Sequence, residues 1–362
     1  MSKDEKFEKI ISKYGNHIES ISDLTGDDEP SKMFYLLADK FSYLLDDNPD
    51  NVLSKSGVER RKIINKIIKK IGPRFLHCQQ VFEDRNVLEN NLNKRDNKII
   101  LPKEPVIWAP NHGFRDDALA TVLAADRNAY FLFGSLPQFY NTIDGVTAWL
   151  NGSILVNRKN KESKKASLGK CRKAIELGTD LIIFPEGVWN KTPNLLSLKL
   201  WPGVYRIAKE NGIKIVPVIH YKRELQSLDK NDIIHTVIDD PIDVSNMSEQ
   251  VALDYLRDIY AYWVFLMMEK YGQSTRAEEI GDSINSQAKW EQRLYERLET
   301  ADRYDKEIET KANYVEKFDS ELLQAWSDIS RITNISSENA YMVMDARKKV
   351  EELKNNNFQR RF

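Results

Sequence analysis

The stretch Pro105-Val106-Ile107-Trp108-Ala109-Pro110-Asn111-His112-Gly113-Phe114-Arg115-Asp116-Asp117-Ala118-Leu119-Ala120-Thr121-Val122-Leu123 changes rhythm half-way along. Its first part, PVIW, is continuously apolar and reads as a buried strand ended by proline. From Ala118 the apolar residues fall at helical spacing (Leu119, Val122, Leu123). A strand, a short polar turn and a helix are one half of an α/β unit. The same alternation continues on both sides. Strand-like runs are NKIILP, PVIWAP, AYFLFGS, SILVN, TDLIIFPEG, IKIVPVIHY and DIIHTVID, and between them lie the helix-like runs DDALATVLAADR, PQFYNTIDGVTAWL, KKASLGKCRKAIELG and GVYRIAKENG. Strands that are apolar throughout are covered on both faces, so the expected fold is α/β with a mainly parallel central sheet between helices. In such sheets ligands sit at the carboxyl ends of the strands, where HGFRDD and PEG both fall.

Outside this block the chain reads as helical, which predicts three regions: a helical N-terminal region over 1–95, an α/β domain over 96–247 and a helical C-terminal region over 248–362. In the first, VERRKIINKIIKKIG places Ile63, Ile64, Ile67, Ile68 and Ile71 on one arc and Lys62, Lys66, Lys69 and Lys70 on the opposite one, with Gly72-Pro73 as the stop. Such a helix either packs its isoleucines in a bundle and solvates its lysines, or lies on an anionic membrane through residues 58–71. Packing is the expected outcome, because β-branched isoleucines suit a core. In the last region EQVALDYLRDIYAYWVFLMMEKYG predicts an apolar helix docked on the core. Beyond it, Trp290, Leu294, Leu298, Phe318, Leu322 and Trp326 have helical spacing without a sustained heptad, so a helical subdomain, a dimerisation element and a partner-binding arm all remain open.

Composition narrows the function. Lys plus Arg (54) and Asp plus Glu (55) nearly cancel, so there is no global signature of a nucleic-acid binder. The first residues, MSKDEKFEKII, lack the apolar segment of a signal peptide, and no apolar run approaches the roughly 20 residues that span a bilayer. A cytoplasmic protein, or one peripheral on the cytosolic membrane face, is expected. Cys78 and Cys171 stand alone, without metal-ligand spacing, and are expected to be ordinary buried thiols.

Within the opening stretch, His112 lies at a strand-to-helix turn with Asp117 about one helical turn further on. A carboxylate there can fix the imidazole tautomer and leave the other ring nitrogen to act as a general base. H-x4-D alone is common by chance. A metal site on His112, Asp116 and Asp117 is a second reading, weakened by the lack of another histidine at ligand spacing. His17, His77, His220 and His235 have no partners that spacing reveals, and neither Ser153 nor Cys171 sits in a nucleophile elbow. The conjunction of four ordered segments raises the base reading: Asn111-His112 to Asp117, Gly152 to Arg158 (GSILVNR), Phe184-Pro185-Glu186-Gly187, and Ile215-Val216-Pro217-Val218.

Over roughly residues 98–245 these segments resemble the NH-x4-D, G-x-I-x-x-x-R, F-P-E-G and V-P-V/I blocks of the glycerol-3-phosphate and lysophosphatidate acyltransferase family. The resemblance implies transfer of a fatty acyl group from acyl-CoA or acyl carrier protein to a hydroxyl of a glycerolipid precursor, with no cofactor beyond that co-substrate and no metal. It implies His112 as general base and Asp117 as its orienting partner. Asn111, Phe114, Arg115, Gly152, Arg158, Glu186 and Gly187 become the substrate-binding candidates, Arg158 as a phosphate ligand, with Pro217 shaping an acyl pocket. The implied partners are the thioester donor, a hydroxyl-bearing lipid precursor and an anionic membrane surface, and not nucleic acid. Three features depart from the family pattern. Phe114 stands where a small hydroxyl residue is frequent, Arg115 and Asp116 add charge beside the base, and Val188-Trp189-Asn190 replaces a Thr-Arg continuation, leaving Lys191 or Lys199 as substitute cations. An acceptor other than a glycerolipid, and a non-catalytic lipid-binding or scaffolding protein on the same fold, therefore stay open.

Overall fold

The computed structural model describes residues 3–26, 30–89, 98–125, 127–190, 196–223, 231–272 and 323–359. Seven strands form one sheet: β1 (Gln79–Phe82), β2 (Ile107–Pro110), β3 (Ala129–Phe133), β4 (Ser153–Leu155), β5 (Asp180–Ile182), β6 (Ile215–Tyr221) and β7 (Ile233–Ile238). Their order is β1-β7-β6-β2-β5-β3-β4. The block from β6 to β4 is parallel, β7 runs antiparallel to β6, and β1 runs parallel to β7. The α/β architecture expected from the alternating runs is thus present, with helices at both ends of the chain.

The strand PVIW is central because both its faces are apolar. Ile107 and Ala109 enter one core with Ile215, Ile219 and Leu181, while Val106 and Trp108 enter another with Val216, Val218 and Ile182. That division follows the period of two along a strand. The indole N–H of Trp108 donates to the buried Asp180 Oδ2 at 2.9 Å, and Arg127 Nε donates to the same oxygen at 3.1 Å. A large apolar side chain can thus be buried with its one polar atom satisfied.

The helices before the sheet are α1 (Lys3–Tyr14), α2 (Ser22–Thr25), α3 (Lys32–Phe41), α4 (Pro49–Val52) and α5 (Lys55–Ile71). Between strands lie α6 (Arg85–Leu88), α7 (Asp117–Ala124), α8 (Leu136–Asn141), α9 (Ile143–Asn151), α10 (Lys161–Glu176) and α11 (Gly203–Asn211), and α12 (Glu249–Tyr271) follows β7. One face of the sheet is covered by α10, α11 and α12 through Cys171, Ala174, Val204, Ile207, Leu256, Tyr260 and Trp263. The other is covered by α7, with Ile68 of α5 beside it. A separate core joins α1 and α3 to α8 through Ile10, Phe34, Leu37, Phe41, Phe139 and Tyr140.

Four differences from the sequence-based expectation have clear causes. NKIILP forms no strand in its described residues, and Ile100 is 76% exposed. The first strand is instead β1, inside the region expected to be helical. As an edge strand it is largely exposed and lacks a buried apolar face, so its sequence carries no strand signal. PQFYNTIDGVTAWL breaks into α8 and α9 at Thr142. On α5 the isoleucine arc is only partly packed, with Ile68 turned to the core. The helix rests on Gly57, Val58 and Asn65, with the Asn65 amide donating to Asn151 Oδ1 at 2.8 Å, and leaves Ile63, Ile67 and Ile71 exposed. The apolar helix expected near the end is α12, docked as foreseen. Helices Leu323–Ser330 and Ala340–Gln359 follow it, and Ile335, Ala340, Val343 and Met344 pack on Ala261 and Phe265. Trp290, Leu294, Leu298, Phe318, Leu322 and the Trp326 side chain lie outside the described residues.

Candidate active site

Strand order brings the site together. β2 lies between β6 and β5, so the turns leaving β2 and β5 rise side by side at the carboxyl end of the sheet. His112 follows β2 by two residues and Glu186 follows β5 by four. The His112 Nδ1 lies 2.8 Å from Asp117 Oδ2, and that oxygen also accepts from the main-chain N–H of Gly113 at 2.9 Å and of Phe114 at 3.2 Å. Asp117 is almost fully buried, while a fifth of the His112 side chain is exposed. A buried carboxylate on Nδ1 places the ring proton there and leaves Nε2 with its lone pair available. No hydrogen-bond partner of Nε2 lies among the described residues. Asp117 Oδ1 is buried and makes no hydrogen bond among them either.

The imidazole is held from below as well as from the side. Phe184 packs against it with ring centroids 4.3 Å apart, and the Trp189 ring stands edge-on at 6.0 Å. The His112 main chain is clamped at both its polar atoms: its N–H donates to Glu186 Oε2 at 3.2 Å, and its carbonyl accepts from the Asn190 N–H at 2.6 Å. Glu186 is buried and also accepts from Ser197 Oγ at 3.1 Å and from the Leu198 N–H at 3.2 Å. Burial pushes its carboxyl up to about 8, against the pull of these three donors. The segments after β2 and β5 are thus one unit, in which the loop after β5 fixes the His112 backbone.

The profile of the acyltransferase family matches residues 82–221, the span that carries the His112–Asp117 pair and the Glu186 clamp. The match covers less than half of the chain. A 1-acyl-sn-glycerol-3-phosphate acyltransferase of Chlamydomonas reinhardtii is 26% identical over 118 residues, which cover 32% of this chain and 34% of that protein. The chain therefore aligns with about a third of the length of this curated relative. The crystal structure of the 1-acyl-sn-glycerophosphate acyltransferase PlsC from Thermotoga maritima is similar at 18% identity and a TM-score of 0.42, covering 64% of this chain and 93% of that one.

Within the matched segment, the residues expected to touch substrate have these surroundings. Asn111 extends the sheet: its Nδ2 donates to the His220 carbonyl at 3.0 Å, and its Oδ1 accepts from the His220 N–H at 2.7 Å. Phe114 is buried with Leu76, Cys78, Ala120 and Ile234, which is why a small hydroxyl residue is not needed there. Arg115 is exposed. Arg158, also exposed, donates from Nη1 to the Gly187 carbonyl and so ties the second block to the third. Pro217 sits inside β6, in register with Ala109. Lys199 is exposed, and Lys191 lies outside the described residues. Asp116 and Asp117 do not converge on His112, since Asp116 bonds His77 instead, and the described residues hold no cluster of three metal-ligating side chains. The Cys78 and Cys171 thiols are buried, as expected.

Gly152 shows the close backbone approach expected of it, made to protein. It has a positive φ of 111°, and a Cβ there would stand 3.0 Å from the Tyr130 ring. Gly152→Ala should therefore destabilise the fold by roughly 1–3 kcal/mol through backbone strain and overpacking, read as a lower denaturation midpoint.

The sequence did not single out Thr121, Ser197 or Tyr260, while His220, after the VPV strand, read best as a satisfied core or surface histidine. The buried His220 lies 2.9 Å from Thr121 Oγ1 through Nε2 and 3.0 Å from Thr236 Oγ1 through Nδ1. Burial holds it down to about 4, so it is a neutral, satisfied core histidine. The Thr121 hydroxyl donates to the Asp117 carbonyl at 2.8 Å, and Tyr260 of α12 donates to the Ala109 carbonyl at 2.8 Å. The His220–Thr121 and Tyr260–Ala109 contacts join residues 99 and 151 positions apart, which local spacing does not reveal.

Proposed function

We propose that the chain transfers a fatty acyl group from acyl-CoA or acyl carrier protein to a hydroxyl of a glycerolipid precursor such as glycerol-3-phosphate or lysophosphatidate. The supporting observation is the 2.8 Å contact of His112 Nδ1 with a buried carboxylate. In the reaction, His112 Nε2 takes the proton of the acceptor hydroxyl as its oxygen attacks the thioester carbonyl. The C–O bond forms, the C–S bond breaks, and the leaving thiolate recovers the proton from the imidazolium. Asp117 stabilises that imidazolium, and its buried Oδ1 leaves the carboxylate with acceptor capacity to spare. The thioester supplies its own leaving group, so the step needs no cofactor or metal. The test is thiol release from acyl-CoA and from acyl carrier protein with a panel of hydroxyl acceptors. Release at the same rate with His112→Ala would remove the mechanism and favour a non-catalytic lipid-binding role.

The place of work follows from α5. Among the described residues no helix is long and apolar enough to cross a membrane. On α5 and the turn after it, Ile63, Ile67, Ile71 and Phe75 are 64, 53, 38 and 67% exposed. Lys62, Lys66, Lys70 and Arg74 each precede one of them. An exposed apolar ridge beside a row of cations fits the interface of an anionic bilayer on the cytosolic side. Ile67→Asp should lower binding to phosphatidylglycerol-containing vesicles by about tenfold or more, given the roughly 1.5–3 kcal/mol that a buried aliphatic side chain contributes. Co-sedimentation measures it, and unchanged binding would remove α5 from the interface.

A further inference from the structure

Two consecutive carboxylates at the start of α7 each hold a histidine, and the reaction above uses one of them. Asp117 holds His112. Asp116 accepts from the His77 main-chain N–H at 2.7 Å, and both its oxygens lie 3.0 Å from the His77 Nδ1. The second pair therefore repeats the first: a nearly buried carboxylate on Nδ1, with no hydrogen-bond partner of Nε2 among the described residues. The His77 side chain is 38% exposed and lines an open cavity of about 650 Å³. The end of α5, the turn after it, β1 and Leu123 of α7 form its walls.

The wall chemistry is that of an amphiphile site. Arg74 and Lys69 bring two cations beside His77, and no carboxylate is among the lining residues. Arg74 is exposed and has no hydrogen bond or ion pair among the described residues. Lys69 donates to the Ala125 carbonyl. Leu76, Phe82 and Leu123 supply the apolar part. Arg74 and Phe75 sit one turn beyond Ile71, at the end of the exposed ridge of α5, so the cavity opens beside the surface that meets the bilayer.

We propose that this cavity binds the phosphate-bearing head of an anionic glycerolipid, with Arg74 and His77 on the phosphate and Leu76 and Phe82 against its apolar part. The proposal rests on the reading of the chain as a lipid-handling acyltransferase at a membrane. A guanidinium presents a planar fork of donors to phosphate oxygens, and His77 Nε2, with the ring proton held on Nδ1 by Asp116, accepts from the P–OH of a phosphate monoester. A lipid suits the site better than the nucleotide of the thioester donor, because the cavity adjoins the apolar ridge of α5.

Isothermal titration of the full chain with dihexanoylphosphatidate and with coenzyme A tests it without turnover. Saturable phosphatidate binding is expected, weakened roughly tenfold or more by Arg74→Glu and by His77→Asn, while coenzyme A binding stays as in the wild type. Arg74 is exposed, so its replacement leaves the fold intact and circular dichroism checks this for both variants. Equal phosphatidate affinity in wild type and both variants would overturn the site. A loss of coenzyme A affinity in place of phosphatidate affinity would overturn the lipid assignment. Failure of the acyltransferase reading shows elsewhere, as thiol release that survives His112→Ala, and does not alter this titration.

Discussion

His112→Ala should lower acyl transfer by roughly 10²–10⁴-fold, the range for removing a positioned general base, with little change in KM. The expectation rests on geometry: Nδ1 is committed to Asp117 and Nε2 has no protein partner among the described residues, so the ring's one chemical task is at Nε2. An effect on kcat without KM separates proton transfer from substrate binding. Asp117→Asn sharpens the test. Placed where Oδ2 lies, the asparagine oxygen can still accept from Gly113, Phe114 and Nδ1, but the negative charge that stabilises the imidazolium is gone. Its rate should fall toward that of His112→Ala with the loop still folded. An Asp117→Asn enzyme of wild-type rate would remove the role of that charge.

The second large effect lies at Glu186, which binds the base's backbone. Above about pH 8, where Glu186 is ionised, Glu186→Gln puts an amide N–H against the His112 N–H or, in the other orientation, the Leu198 N–H. A buried clash of donors costs roughly 1–3 kcal/mol, and near His112 it displaces the imidazole. A fall in kcat of about ten- to a hundredfold is therefore expected, again with KM nearly constant. Acceptor binding by Glu186 would raise KM instead. The carboxyl also gives stability a pH dependence. Its value in the fold is raised to about 8, above its ordinary value, so the folded state holds more protons between the two. Its contribution is complete below the ordinary carboxylate range and is lost as pH rises through about 8. Wild-type denaturation midpoints should drop across that window, and Glu186→Gln, which cannot titrate, should flatten the slope.

How much of this was legible in the sequence depended on where each contact is made. PVIW, LIIF and IVPVI are buried on both faces and announce themselves as strands, and the base pair His112–Asp117 lies within one turn. The edge strand β1 could not announce itself, because half-exposed residues such as Gln79 and Gln80 carry no alternating apolar signal. Likewise α5 reads as a packed helix by its isoleucine arc, yet polar tethers from Arg61 and Asn65 set its rotation and turn Ile63 and Ile67 outward. The Val188-Trp189-Asn190 departure looked like the loss of a phosphate ligand. In space it supplies a ring beside His112 and an amide on its carbonyl, a role that depends on β5 lying next to β2.

Tyr260 and Trp263 of α12 have a consequence for what can be inherited and what can fold. The family match ends at residue 221, yet the Tyr260 hydroxyl donates to the Ala109 carbonyl three positions before His112, and the Trp263 indole donates to the buried Asp239, which also pairs with Arg85. The segment shared with relatives is therefore not a self-sufficient body. A protein cut after residue 221 would lose β7 and the helix that seals one face of the sheet, and with them the ground on which His112 stands. Shuffling this catalytic segment between relatives should succeed only when the helix after the sheet travels with it.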